Sequence, residues 1–284
     1  MEYFVTPLKY PQVDPRYPVA QYSTLGVSSL GRPSPISFLI YFTMTKLLIF
    51  DYDNTLAQPV SIPSDDILSQ IGRLLETNYI AVISGGRTLE ELERLFVRNI
   101  PVGNKELLKN LFICPSYGNM IFHWSAEGPN LIYEAEEMVQ EDKKKVYEAL
   151  RGVQGLDEKK IKEKGKYMVI DCFGKKGSKE ERKAWDPRGI KRLEIQRELN
   201  DILKERFNIF VAGRTSVDIV PKDKNKADNT ERLARMLNIP LKNVIYTGDE
   251  FEVYGNDYPL LSLKDIHINM VKNPEETLEI MKEM

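Results

Sequence analysis

The stretch LLIFDYDNTLAQP, residues 47–59, decides how this chain is read. Its opening run, LLIF, is apolar without alternation, the pattern of a central parallel strand covered on both faces. The run ends in Asp51 and Asp53, one residue apart, followed by Asn54, Thr55 and a turn. Residues two apart in an extended strand point to one side, so the two carboxylates are expected to converge. They would do so at the strand's carboxyl end, where open α/β sheets place their ligands. Two carboxylates ~4 Å apart repel by roughly 4 kcal/mol at an effective dielectric of 20. A proton, a divalent cation or a lysine must offset that. Taken alone, the pair also reads as a solvated strand end or a helix cap.

Working outward, short apolar strands alternate with amphipathic helices. Residues 65–76 carry Ile67, Leu68, Ile71, Leu74 and Leu75 at helical spacing. YIAVIS (79–84) reads as a second strand and 88–99 as a second helix, with Thr88 and Glu91 as its capping box. LFICPSYGNMIFHW (111–124) reads as a strand, a turn at Ser116–Asn119 and a further extended segment. Near the other end, 228–239 is helical and NVIYTGD (243–249) is a strand. Strands alternating with helices predict an α/β fold, a doubly wound parallel sheet. Between the halves, the pattern turns to helix, strand, charged stretch, helix and strand, the order of a small α+β insertion. The expected organisation is therefore a core from 44–128 and 214–284, interrupted by an α+β domain at 129–213.

The first 43 residues are unlike the rest, with Pro7, Pro11, Pro15, Pro18, Pro33 and Pro35 and little periodicity. They read as an extended or disordered arm, because so little apolar surface cannot offset the entropy of ordering. Met44 stands where the compact domain would begin, so the arm reads as an upstream extension. The run at 36–50 is too short to span a bilayer and is broken by Thr43, Thr45 and Lys46, so no membrane association is expected. A net charge of −2 argues against nucleic acid as a partner. Two cysteines, Cys114 and Cys172, make no disulfide framework and suit a reducing cytoplasm. His123 and His267 are the only histidines, which excludes a His-rich metal site.

Three further strand ends add chemistry. Ser84 precedes Gly85-Gly86, which places a hydroxyl and backbone N–H groups at a helix start, a natural phosphate cradle or plain turn chemistry. Lys226, in PKDKNKADN ahead of a helix, is placed to neutralise an anion, or is solvated like most lysines. Gly248-Asp249 ends NVIYT, and GNDYP follows at 255–259. A third carboxylate at a sheet edge suits Mg²⁺, a hard ion that prefers oxygen ligands.

In that order, FDYDNT, ISGGR, NKAD and YTGD…GND resemble the four motifs of the haloacid dehalogenase superfamily, from Lys46 to about the C-terminus. The insertion resembles the type II cap of its phosphomannomutase, sucrose-phosphatase and sugar-phosphatase branch. The resemblance implies Asp51 as a nucleophile forming an aspartyl-phosphate, and Asp53 as the acid that protonates the leaving oxygen and then activates water. It implies Thr55, Ser84 and the adjoining Gly85 around the phosphoryl oxygens, with Lys226 offsetting charge. Mg²⁺ would be held by Asp51, the Asp53 carbonyl and Asp249, with Asn256 and Asp257 nearby. Lys175 stands where phosphomannomutases carry a phosphate-binding arginine, and Ser216 and Asp218 resemble their Ser-x-Asp contacts to sugar hydroxyls. The basic stretch 175–192, with eight cationic and three acidic residues, reads as a solvated face from which one or two side chains reach an anionic substrate. The metal loop is altered to EFEVYGND, adding Glu250 and Glu252. The expected activity is a Mg²⁺-dependent phosphatase, a monomer or homodimer, acting on a small phosphorylated metabolite such as a sugar phosphate. A phosphomutase and a non-enzymatic binder of phosphorylated ligands are the alternatives.

Overall fold

The computed structural model describes residues 46–284 apart from 102, 104, 157, 175 and 176. The proline-rich arm expected at 1–43 and Lys175 lie outside the described residues. Strand β1 (Leu47–Asp51) is buried along its whole length and pairs in parallel with both β2 (Tyr79–Ile83) and β10 (Val244–Gly248). β3 (Leu111–Cys114) extends the sheet beyond β2, and β11 (His267–Met270) beyond β10, both parallel. β4 (Met120–Ser125) and β5 (Gly128–Glu134) complete one edge as an antiparallel hairpin. The order is β11-β10-β1-β2-β3-β4-β5.

The alternation of the strands explains why β1 and β2 had to be apolar throughout. Leu48, Phe50, Ile80 and Val82 enter one core, with α1 (Asp65–Leu74), α2 (Leu89–Leu95) and the C-terminal α7 (Pro274–Glu283). Leu47, Ile49, Ala81 and Ile83 enter a second core on the opposite face, covered by α6 (Lys226–Met236). The capping box of Thr88 and Glu91 forms as its sequence predicts. Helix α6 starts two residues ahead of the expected 228, because the Asn225 side chain accepts from Ala227 N and Asp228 N and so sets the helix start.

A second, four-stranded antiparallel sheet contains β6 (Ile161–Glu163), β7 (Met168–Asp171), β8 (Phe207–Ala212) and β9 (Ser216–Pro221), in the order β6-β7-β9-β8. With α3 (Gln140–Gly152) and α5 (Ile190–Leu203) it encloses its own core around Val146, Leu150, Ile170, Leu199, Val217 and Ile219. This smaller unit does not coincide with 129–213. Residues 129–134 continue the large sheet as β5, while 216–221 belong to the small one, so both boundaries shift along the chain. A short helix, α4 (Lys179–Trp185), capped by Ser178 with Glu181, forms inside the stretch read as solvated charge. Two arginines there are internal braces: Arg192 is buried against Asp186, and Arg182 hydrogen bonds to Asp171. Among the described residues no helix is long and apolar enough to cross a membrane.

Candidate active site

The carboxyl ends of β1, β2 and β10 lie side by side, and the start of α6 meets them. Lys226 is the first residue of α6 and its side chain is fully buried; Nζ donates to Asp51 Oδ1 and to Asp257 Oδ1, both at 2.7 Å. Asp257 also accepts from the Tyr246 hydroxyl at 2.6 Å and, through Oδ2, from Glu250 N at 3.1 Å. A side chain at Gly248 would collide with that carboxylate, so glycine there lets Asp257 approach the end of β10. Asp249 is held from the β1 side, by Asn54 Nδ2 at 3.2 Å and Thr55 Oγ1 at 3.4 Å.

Asp51, Asp249 and Asp257 each present an oxygen, and these three atoms lie within 4.8 Å of one another. Burial pushes the Asp51 carboxyl well above the usual carboxylate range; Lys226 opposes the shift, while Asp257 and Asp249 reinforce it. Burial and then Asp257 push Asp249 up to about 6, and burial and then Asp249 push Glu250 up to about 7. Burial works to lower Lys226, but the Asp257 and Asp51 carboxylates outweigh it and hold the ammonium charged. Three carboxylates against one ammonium leave a surplus of negative charge out of water. Beside them, the buried Asn256 Oδ1 has no hydrogen-bond partner. Hard oxygen donors and an uncompensated charge are what Mg²⁺ requires, and these residues fit the ion. Asp257 therefore joins the acidic cluster itself, whereas Asn256 contributes an open acceptor beside it.

Asp53 lies beyond the end of β1. β1 ends at Asp51, and the next residues form a tight turn in which Asn54 takes φ 59° and Leu56 N and Ala57 N both donate to Tyr52 O. The two carboxylates pair with different cationic side chains, Asp51 with Lys226 and Asp53 with Arg87. The Asp53 carboxylate is outside the three-carboxylate cluster and is gripped by a two-pronged fork, Arg87 Nη2 to Oδ1 at 2.6 Å and Nε to Oδ2 at 3.0 Å. Arg87 is the residue that sequence reasoning passed over. Its signal was positional: Asp51 pairs in register with Ile83, so a residue just beyond Gly85-Gly86 falls beside one just beyond Asp51.

Ser84 is buried, and its Oγ accepts from Arg87 N at 3.3 Å. Gly85 lies against the Tyr117 ring so tightly that a Cβ there would come within 2.8 Å of it. The smaller sheet closes over this region at three points. Tyr117 OH donates to Asp218 at 2.5 Å, Tyr167 OH to Gly85 O at 3.1 Å, and Val211 N to Tyr254 O at 3.1 Å. The last contact ties the loop after β10 to the edge strand β8. Ser216 is two residues from Asp218 on the same face of β9, in register with Asp171. Asp51, Asp53, Thr55, Ser84, Gly85, Lys226, Asp249, Asn256 and Asp257 are thus gathered at one end of the large sheet, with Asp218 and Ser216 on the strand above. A buried carboxylate fixed by a lysine, next to an acidic cluster able to hold a cation and to a second carboxylate, can perform nucleophilic chemistry on an anionic ester.

Comparison with known proteins bears on the fold. The family model of haloacid dehalogenase-like hydrolases matches residues 185–284. A phosphomannomutase from Encephalitozoon cuniculi is 29% identical over 121 residues, which is 41% of this chain and 46% of that protein, so less than half of either is matched. An N-terminally truncated Plasmodium falciparum IMP-nucleotidase superposes with a TM-score of 0.62 at 22% identity, over 84% of this chain and 69% of the other. A haloacid dehalogenase-like hydrolase from Bacteroides thetaiotaomicron superposes with a TM-score of 0.53 at 17% identity, over 84% and 99%. At such identities the two structures speak for the fold, and the sequence matches for a likeness over part of the chain. Residues 185–284 are thus similar in sequence to the haloacid dehalogenase-like hydrolases, and most of the chain shares its fold with the two solved structures.

Proposed function

We propose that this protein is a Mg²⁺-dependent phosphomonoesterase for a small phosphorylated metabolite, a sugar phosphate in the first instance. One observation carries the reading: the fully buried Lys226 bridges Asp51 and Asp257 inside a three-carboxylate cluster assembled from the end of β1 and the loop after β10. In this reading Asp51 attacks phosphorus; a bond forms between its carboxylate oxygen and phosphorus as the bond to the ester oxygen breaks. Asp53 gives a proton to the departing oxygen, then takes one from the water that cleaves the aspartyl-phosphate, releasing phosphate and regenerating Asp51. Lys226 keeps Asp51 oriented and offsets the charge gathered there. Arg87 holds the Asp53 carboxylate in a fixed plane. Ser84 and the backbone at Gly85 receive the phosphoryl oxygens. When bound, Mg²⁺ supplies the positive charge that lets a dianionic ester approach these carboxylates.

The test is phosphate release from mannose 1-phosphate, glucose 6-phosphate, IMP and p-nitrophenyl phosphate, with Mg²⁺ or EDTA. Turnover should require the metal and vanish in Asp51→Asn while the circular dichroism spectrum is kept. Activity that survives EDTA, or survives Asp51→Asn, would overturn the mechanism. The similarity to a phosphomannomutase favours one second reading, a sugar phosphomutase with the same covalent step. Mannose 6-phosphate formed from mannose 1-phosphate in the presence of a bisphosphate activator, in place of free phosphate, would select it.

A further inference from the structure

Tyr246 stands in the middle of β10, in register with Ile49 of β1 and Ile268 of β11. Its ring is fully buried in the core that α6 covers and meets Phe251 edge-on at 6.2 Å. A phenylalanine would fill the same place, so packing alone does not call for the hydroxyl. Gly248, two residues on, shares the face of β10 to which Tyr246 points. The ring lies against that glycine, where a Cβ would come within 2.8 Å of it. The hydroxyl thereby reaches past the end of the strand and donates to Asp257 Oδ1 at 2.6 Å.

An ionised carboxylate has room for about four hydrogen bonds, shared equally by its oxygens. On the wholly buried Asp257 most of that room is used. Lys226 Nζ at 2.7 Å and the Tyr246 hydroxyl at 2.6 Å fill Oδ1, and Glu250 N at 3.1 Å takes one place on Oδ2. The remaining place is on Oδ2. The donors to Oδ1 come from β10 and from the first residue of α6, both held by core packing, so the carboxylate is not free to turn. For a cation this matters. Mg²⁺ takes single carboxylate oxygens in near-octahedral geometry and keeps several waters, whereas the larger Ca²⁺ gathers about 6–8 oxygens, often both of one carboxylate.

We propose that Tyr246 is a positioning residue that makes the acidic cluster select Mg²⁺ over Ca²⁺: its hydroxyl closes Asp257 Oδ1, so that Asp257 offers a cation one oxygen and never two. Lys226 by itself does not achieve this, since one donor on Oδ1 leaves a place open there. The inference rests on the reading of the cluster as a Mg²⁺ site and adds to it the residue that decides which ion fills it.

The test compares full-length wild type, Tyr246→Phe and Tyr246→Leu, stripped with EDTA, dialysed and titrated calorimetrically with Mg²⁺ and with Ca²⁺. The readout is the ratio of Kd for Ca²⁺ to Kd for Mg²⁺, and no turnover enters it. Tyr246→Phe keeps the ring and its packing, while Tyr246→Leu removes the hydroxyl by another route. The wild type should bind Mg²⁺ the more tightly. Either variant should lower the ratio at least about threefold, through tighter Ca²⁺, because Asp257 can then turn both oxygens to the larger ion. In Asp257→Asn, whose carboxamide has one oxygen whatever surrounds it, adding Tyr246→Phe should leave the ratio unchanged, as for a residue acting through another. A smaller fall in the ratio would overturn the proposal, as would equal weakening of both ions, the mark of a merely loosened site. So would a wild type that prefers Ca²⁺, or a further change in the Asp257→Asn background. Wild-type protein that binds neither ion would overturn the reading of the cluster as a metal site, and this proposal with it.

Discussion

Replacing Lys226 by methionine keeps the volume of the buried side chain and deletes its charge. In the native protein that charge meets two carboxylate oxygens at 2.7 Å each, at a side chain with no exposure. After the substitution, Asp51, Asp249 and Asp257 confront one another within 4.8 Å. Each pair then repels by at least about 3.5 kcal/mol at an effective dielectric of 20, part of which is relieved by protonation. Removing one partner of a buried ion pair costs about 3–5 kcal/mol, and a domain of this size loses roughly 2–4 °C of Tm per kcal/mol. Lys226→Met should therefore unfold roughly 6–20 °C below the wild type in EDTA. Saturating Mg²⁺ should recover part of the loss, because an ion that binds the native state alone stabilises it by mass action. Thermal unfolding followed by circular dichroism, with and without the ion, measures both effects. The decisive comparison is the double variant Lys226→Met/Asp51→Asn, which carries one carboxylate fewer and should be more stable than Lys226→Met. A Lys226→Met protein within 2 °C of wild type in EDTA, or a double variant less stable than the single one, would refute the account of Lys226 as the counter-charge of this cluster.

Arg87→Gln releases the Asp53 carboxylate from its fork, and misplacement by ~1 Å lowers kcat by about 10²-fold; stopped-flow kinetics with p-nitrophenyl phosphate should find the loss in kcat, with KM little changed. Gly85→Ala drives a methyl group to within 2.8 Å of the buried Tyr117 ring, which should cost about 1–3 kcal/mol in urea unfolding and weaken inhibition by inorganic phosphate. Asp218 titrates at about 6 because of burial, against an ordinary 3.8, with the Tyr117 hydrogen bond and Lys164 opposing the shift. The unfolded carboxyl ionises first as pH rises, so the fold should lose roughly 3 kcal/mol between pH 4 and 6.5 and no more above that. Asp218→Asn should abolish this segment of the wild-type pH–stability profile, and an identical slope in both proteins would show that the carboxyl does not titrate as described.

Much of this was visible in one dimension. LLIF could be placed in the middle of a parallel sheet because a strand with no polar face needs cover on both sides, and β1 has it. The box of Thr88 and Glu91 is a local arrangement of four residues and formed as read. That β1 stops at Asp51 was not legible in the same way, since the pattern alone leaves room for two more strand residues. The Asn54 turn ends it, and each carboxylate finds its own cation. The basic stretch 175–192 could not be told from solvated charge, because whether Arg192 is exposed depends on Asp186 being folded back against it.

The order of Asp51, Ser84, Lys226 and Asp249, and the apolar alternation between them, determined the sheet and the end of it at which these side chains gather. These follow from periodicity and from the short-range geometry of turns and caps, which a linear sequence carries in full. Tertiary structure alone decided that Asp257 joins Asp51 and Asp249, that Arg87 takes Asp53, and that Tyr117 reaches Asp218, 101 residues further along the chain. Those pairings depend on where separate elements dock, and docking is set by the sum of all packing contacts rather than by any segment's own pattern.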